Sequence, residues 1–175
     1  MTDLKVYTFA DIRALRPCYN PSRYLPEDWI GTLLDGLRLE AVPARDRIWV
    51  AVRFLDDRTN RLFAVACARK ALALVEDPDP RCIETCDVAE RYANGQATDL
   101  ELATARAAIE AARDADWDDV QDAAWGAAWG AAGAAAGAAT RTAVQAARDA
   151  VWAANEVDWA EQIELLIDII SSSED

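Results

Sequence analysis

Histidine is absent from this chain of 175 residues. The most common general base of enzymes, which is also a principal metal ligand, is therefore missing. Glycine-rich phosphate loops of the two standard spacings are also absent, and no serine stands in the sequence context of a hydrolase nucleophile. These absences predict a non-enzymatic protein with no catalytic residues, no metal site and no cofactor.

Cysteine is present at only four positions, which are Cys18, Cys67, Cys82 and Cys86. Cys82 and Cys86 are four residues apart and would share one helix face, but without histidine or a second close pair they do not make a metal site. We expect reduced, partly buried thiols in a cytoplasmic protein. The stretch 1–5 agrees, because it lacks the cationic and apolar segments of a signal peptide.

Basic residues are scarce in the second half of the chain, and none follows Arg148. Residues 98–175 contain 16 acidic and 4 basic residues, a net charge of −12, whereas residues 1–97 have a net charge of −1. A basic footprint for direct nucleic-acid binding is missing. The asymmetry indicates either a surface that attracts a basic partner or a means of keeping the protein soluble.

A run of 17 residues, 123–139, carries no charge and consists only of alanine, glycine and tryptophan. A membrane span is one alternative, but 17 residues is short and alanine is only weakly hydrophobic. A flexible linker conflicts with the high helix propensity of alanine. An ice-binding helix would need regularly spaced threonines, and only Thr140 and Thr142 occur nearby. A buried helix at the centre of an all-α fold is therefore the preferred interpretation.

Glycine and tryptophan spacings within this stretch support close helix packing. Gly126 and Gly130 are four residues apart, and so are Gly133 and Gly137, so each pair lies on one face. Trp117, Trp125 and Trp129 fall within about a third of the helix circumference. We expect neighbouring backbones to approach the glycine face, and we expect a kink or break near residues 133–137.

Helical periodicity and capping signals predict a single all-α domain of about six to eight helices over residues 1–175. Residues 1–57 would form a helical and loop region packed on this domain, and residues 171–175 a frayed tail. A strand over residues 50–54 is a weaker alternative to a helix. The predicted helices are Phe9–Leu15 capped by Thr8, one from Pro26 through Leu37, one after Pro43, Arg58–Val75, one ending at Asn94-Gly95, one with a Thr98–Glu101 capping box, the alanine-rich helix, and one after Asp158.

Two acidic regions are candidate partner-binding sites. Asp114, Asp118 and Asp122 are four residues apart and would share a helix face. The alternatives to a partner-binding site are a solvated helix face and a cation site. An exposed tryptophan among the acids would anchor an interface. The predicted partner-binding residues are Asp114, Asp116, Trp117, Asp118, Asp119, Asp122, Glu156, Asp158 and Glu161, and the C-terminal acids Glu164 and Asp168 extend the second region.

A resemblance to a known family covers residues 58–159. It lies in two successive segments, "RLFAVACARKALALVEDPDPR" and "CDVAERYANGQATDLELATARAAI", and in the Ala/Trp-rich stretch that follows them. They resemble a family of immunity proteins associated with bacterial polymorphic toxin systems, to which similar phage-encoded proteins are related. The resemblance implies an all-α bundle that neutralises a toxin by binding it. It carries over no catalytic motif, and it does not extend to the first 57 residues.

The function that follows is inhibition by protein–protein contact. We expect an acidic protein that binds and blocks a basic partner, either a toxin or a nucleic-acid-handling defence enzyme, with a DNA mimic as the extreme form. The alternative is a structural homo-oligomer, for instance a scaffold component of a phage or bacterium. An enzyme that uses carboxylates and a divalent ion is a third possibility. No membrane or direct nucleic-acid contact is expected.

Overall fold

A computed structural model describes residues 5–111, 119–133, 145 and 159–172. These parts contain eight α-helices, one short 3₁₀ turn at Pro21–Arg23 and one two-stranded sheet, which confirms the all-α prediction. The elements are β1 Val6–Thr8, α1 Phe9–Ala14, β2 Ile30–Thr32, α2 Leu33–Leu37, α3 Ala44–Phe54, α4 Asp57–Leu72, α5 Pro80–Ala93, α6 Asp99–Glu110, α7 Asp119–Gly133 and α8 Ala160–Ser172.

The alanine-rich helix α7 packs against α4, α5 and α6, and its contact with α4 is the most extensive between any two described helices. Ala127, Ala128 and Ala131 of α7 are fully buried, as are Ala64 and Ala68 of α4. Side chains this small let two helix backbones approach closely. The prediction of a buried central helix is therefore confirmed over the part described, whereas the expected break beyond Gly133 lies outside the described residues.

Capping boxes start three of the helices. Thr8 and Asp11 form one at α1, and their side chains exchange hydrogen bonds with each other's backbone N–H at 2.8 and 3.2 Å. Thr98 and Glu101 form the predicted box of α6. Each box satisfies two backbone donors that the first helical turn would leave unpaired. At the other end of α5, Gly95 has a φ of 70°, as the predicted Asn94-Gly95 terminator requires.

The prediction of one helix from Pro26 through Leu37 is wrong. Residues Ile30–Thr32 form strand β2 instead, which pairs antiparallel with β1 so that Tyr7 faces Gly31. Only Leu33–Leu37 is helical, and Thr32 caps it with Asp35. Apolar residues at helical spacing suit the short helix equally well, and pairing with a distant strand overrides the local preference. The strand alternative for residues 50–54 is also wrong, since they belong to α3.

Alanine substitutions at Gly31 and Gly36 provide a matched test of the packing around strand β2 and helix α2. A Cβ on Gly31 would lie 2.8 Å from Cζ2 of Trp29 and 3.1 Å from Cβ of Asp35, whereas a Cβ on Gly36 meets nothing closer than 3.9 Å. We expect Gly31→Ala to destabilise the protein by about 1–3 kcal/mol through overpacking. Gly36→Ala is expected to stabilise helix α2 by up to about 1 kcal/mol. Urea denaturation of both variants measures the difference, and equal midpoints would contradict it.

The last helix, α8, ties the N-terminal region to the bundle by packing on α2, α3 and α4. Its buried apolar residues Ile163, Leu166 and Ile170 recur at helical spacing, as predicted. Buried Gln162 accepts a hydrogen bond from the Cys67 thiol of α4 at 3.1 Å. The helix runs on through Ser171 and Ser172, two residues into the predicted tail.

A second, smaller apolar cluster holds the N-terminal region together. Phe9, Ile12, Leu25 and Val42 are its buried members, and half-buried side chains of α3 complete it. Because α3 also supplies Ile48 and Val52 to the main core, the two clusters share one helix. None of the helices in the described ranges is long and apolar enough to cross a membrane.

Candidate interaction surface

Most of the predicted partner-binding residues lie outside the described residues. Asp119 and Asp122 belong to α7, of which the structure describes only the backbone at these positions. Glu161 lies exposed in the first turn of α8. The assignment of these residues to a partner-binding surface therefore stays a prediction. The predicted residues outside the described ranges are Asp114, Asp116, Trp117, Asp118, Glu156 and Asp158.

The solvent-facing side of α8 is acidic. Glu161, Glu164 and Asp168 are exposed, and the helix contains no basic residue. Glu161 pairs with Lys70 of α4, with 2.9 Å between Nζ and Oε2. Glu164 and Asp168 have no ion-pair partner within the described part of the chain. They keep their negative charge toward solvent, where it attracts cations at a distance.

Two arginines, Arg69 of α4 and Arg91 of α5, are by contrast paired with neighbouring carboxylates, whereas Arg58 of α4 donates to the side-chain oxygen of Asn94. Arg69 of α4 binds Asp87 at 2.8 Å and Glu90 at 2.6 Å, and the Glu90 hydrogen bond raises the pKa of the guanidinium. Arg91 of α5 lies 3.3 Å from Glu101 of α6. These pairs are exposed, so each stabilises the fold little. Their effect on the surface is to leave less positive charge near α4 and α5 to oppose the acids of α8.

A polar pocket of about 190 Å³ opens where the end of α4, the α4–α5 loop and α7 meet. The sequence alone does not reveal this pocket, because Asp77-Pro78-Asp79-Pro80 is locally typical only of a segment that cannot continue a helix. Helix α4 ends earlier, at Leu72, and the run places Asp77 and Asp79 in the pocket wall. The lining residues are Leu72, Val75, Asp77, Pro78, Asp79, Pro80, Cys82, Ala124 and Trp125.

Asp79 is held firmly at this pocket, and Asp77 is not. The Asp79 carboxylate accepts from the backbone N–H of Arg81 at 2.8 Å and thereby caps α5, and it pairs with the Arg81 guanidinium at 2.5 Å. The side-chain hydrogen bond from Arg81 holds the pKa of Asp79 below its usual range. Asp77 is exposed and forms no ion pair with the described residues. It is therefore the carboxylate available to a ligand.

The described tryptophans of α7 pack mainly against α6. Nε1 of Trp125 donates to the carbonyl oxygen of Ile109 at 2.8 Å, which satisfies a carbonyl near the end of α6. The Trp125 and Trp129 rings lie 6.3 Å apart and nearly parallel, and the Arg106 guanidinium lies 4.4 Å from the Trp129 ring centre. Both side chains are half-buried, and Trp125 also lines the pocket beside the α4–α5 loop.

A second crevice, lined by Tyr7, Trp29, Leu37 and Phe54 among others, lies in the N-terminal region. Its volume is about 40 Å³. A cavity of roughly 150 Å³ is needed for a benzene molecule, and roughly 10–15 Å³ for a water. The crevice therefore suits ordered water rather than an organic ligand, and it adds no ligand site to the surface.

The cysteine thiols are unreactive except at one position. Cys67, Cys82 and Cys86 are buried and unbridged, as expected, and Cys18 is exposed. Burial raises the pKa of Cys82 and of Cys86 to about 12, and it raises that of Cys67 further. Because the thiolate is the nucleophile, these groups are inert near neutral pH. No group of three or more potential metal ligands occurs in the part of the chain that the structure describes.

A thiol titration tests this assignment. We expect one thiol per chain to react rapidly with an aromatic disulfide reagent at pH 8 in the native protein, and all four after unfolding in guanidinium chloride. Cys18→Ser should leave no fast-reacting thiol. A second rapid thiol in native Cys18→Ser would show that one of the buried positions is accessible.

Comparison with known proteins gives no family for this chain. No protein-family model matches it, and no curated protein and no solved structure is similar to it at a significant level. The resemblance to immunity proteins therefore stays a prediction from the quoted segments. A function for this chain therefore has to be inferred from the surface described above.

Proposed function

We propose that the protein is a non-enzymatic, acidic inhibitor of the immunity type, which binds and neutralises a basic partner protein. The partner is a toxin or a nucleic-acid-handling enzyme of a defence system, and the site of action is the cytoplasm. In this proposal a phage-encoded member of the group would act against a host defence. The charge distribution is the observation that carries it.

Charge supports the proposal in two steps. The net charge of −12 on residues 98–175 creates a field that speeds the approach of a basic protein and orients it. At closer range, Glu164 and Asp168 on α8 are exposed carboxylates without ion-pair partners among the described residues. Among the described residues, a partner that binds these two carboxylates displaces no ion pair, which lowers the cost of binding.

A pull-down from nuclease-treated lysate of the host cell tests the proposal. The tagged protein is expected to retain one basic protein at about 50 mM salt and to release it at about 500 mM, since surface electrostatics are screened within a few ångströms at high salt. Mass spectrometry identifies the retained protein. Retention of no basic protein, or retention that ignores salt, would contradict the proposal.

A structural homo-oligomer is the second candidate, and exposed apolar side chains favour it. Val6 and Ile30 project from the same face of the two-stranded sheet and are 59% and 65% exposed, and Leu100 is 77% exposed. Light scattering coupled to size exclusion distinguishes the candidates. A monomer at about 50 µM supports the inhibitor, and a defined oligomer that dissociates in Val6→Lys with Ile30→Lys supports the scaffold.

A further inference from the structure

The pocket beside the α4–α5 loop has a lining suited to a cation. Its wall contains two acidic residues, Asp77 and Asp79, and no basic side chain among the described lining residues. Arg81, which follows Pro80 in the chain, is already paired with Asp79. Leu72 is the last residue of α4, so the negative end of that helix dipole also borders the pocket. A positive group placed here meets negative charge from the helix end and from Asp77.

The remaining described lining residues of the pocket are apolar. Trp125 forms one side, and Val75, Pro78 and Pro80 contribute others. The volume of about 190 Å³ exceeds the roughly 150 Å³ that accommodates benzene, so a planar group with a short aliphatic stem fits. Simple metal ions would leave most of this apolar wall uncovered, which argues for an organic cation.

Arginine matches both halves of this lining better than lysine does. The guanidinium group is planar, is weakly hydrated, stacks on aromatic surfaces and binds carboxylates with two parallel hydrogen bonds. Lysine presents a strongly hydrated point charge, which costs more to bring beside an indole and two prolines. The aliphatic stem of arginine would cover the apolar wall while its head group reaches Asp77.

We propose that this pocket receives an arginine side chain of the partner protein, with its guanidinium on Asp77 and its methylene groups against Trp125 and the prolines. The assignment rests on the proposed function, because it takes the partner to be basic, and it names the part of the partner that is recognised. Ala124 of α7, which lines the pocket, follows Asp122 by two positions in the sequence.

Binding of L-argininamide to the purified protein tests the pocket without the partner. We expect saturable shifts of the Trp125 indole N–H signal in ¹⁵N-labelled protein, with a dissociation constant in the roughly millimolar range of a single side chain. Citrullinamide has nearly the same shape and the same α-ammonium group, but a neutral ureido group replaces the guanidinium, so it should give no saturable shift. Trp125→Phe identifies the signal.

Two neighbouring acids supply matched variants. Asp77→Asn is expected to weaken argininamide binding at least threefold, whereas Glu76→Gln, which removes the adjacent exposed acid outside the lining, should leave it unchanged. Equal urea midpoints establish that both variants are folded. Asp79 is unsuitable, because its removal would also uncap α5.

The outcomes distinguish a failure of the arginine assignment from a failure of the proposed function. Equal shifts with citrullinamide, or full affinity in Asp77→Asn, would overturn the arginine assignment even if the pull-down recovers a basic protein. Binding that requires both the guanidinium and Asp77 supports the assignment. A pull-down without a basic protein would overturn the proposed function and would leave the titration result standing.

Discussion

Replacing Ala127 by leucine is expected to lower the free energy of unfolding by about 3 kcal/mol, at the upper end of the range for overpacked cores. Ala127 is 0% exposed, and α7 is enclosed by α4, α5 and α6. Three additional carbon atoms would have to force the helices apart, because the side chains opposite them are themselves small. The melting temperature should fall by about 6–12 °C, which thermal unfolding followed by circular dichroism measures.

An exposed alanine provides the matched control for this substitution. Ala107 lies on the solvent-facing side of α6, so Ala107→Leu adds the same atoms with nothing to displace. Its effect is expected to stay within about 0.5 kcal/mol. If Ala127→Leu and Ala107→Leu melt at the same temperature, the close packing of α7 in this bundle would be contradicted.

Helix ends could be predicted from the sequence where the signal is local. The Thr98–Glu101 box and the Asn94-Gly95 terminator each act within four residues, so the chain encodes them without help from distant parts. The buried state of α7 was also predictable, because a long charge-free run rich in alanine leaves few alternatives. These elements account for the correct all-α assignment.

Strand β2 could not be predicted, since its cause lies elsewhere in the chain. Ile30–Thr32 becomes extended by pairing with Val6–Thr8, more than twenty residues earlier, and Gly31 lets the Trp29 ring lie directly against the strand. Periodicity over ten residues contains no information about that partner. Strands of three residues are too short for an alternation of apolar and polar residues to be recognised in the sequence.

The candidate surface, like the fold, can be predicted from the sequence only in part. The sequence shows how much acid the second half carries, but the pairing of Glu161 with Lys70 joins residues 91 positions apart and is visible only in the folded chain. The pocket near Asp77 likewise needs Trp125 from α7 to complete its wall. Local composition thus predicts the sign of the surface charge, and tertiary contacts decide which carboxylates remain available.

Reversing the charge of α8 is expected to weaken partner binding about tenfold to a hundredfold. Glu164→Lys with Asp168→Lys changes the net charge by four units at two exposed positions that have no ion-pair partner among the described residues. Repulsion would slow association, so the loss should appear mainly in the association rate and should shrink at high salt. Surface plasmon resonance with the partner from the pull-down, at two salt concentrations, measures it.

A second pair of reversals tests the other acidic region. Asp118→Lys with Asp119→Lys should abolish binding without unfolding the protein if the acids before α7 form the main contact. Glu27→Lys with Asp28→Lys controls for net charge, because it makes the same change at exposed acids of the N-terminal region. Because distant charge contributes only a screened field, the control should lose far less affinity than a contact pair. Equal losses in all three variants would mean that total charge matters and that neither acidic region is a specific contact.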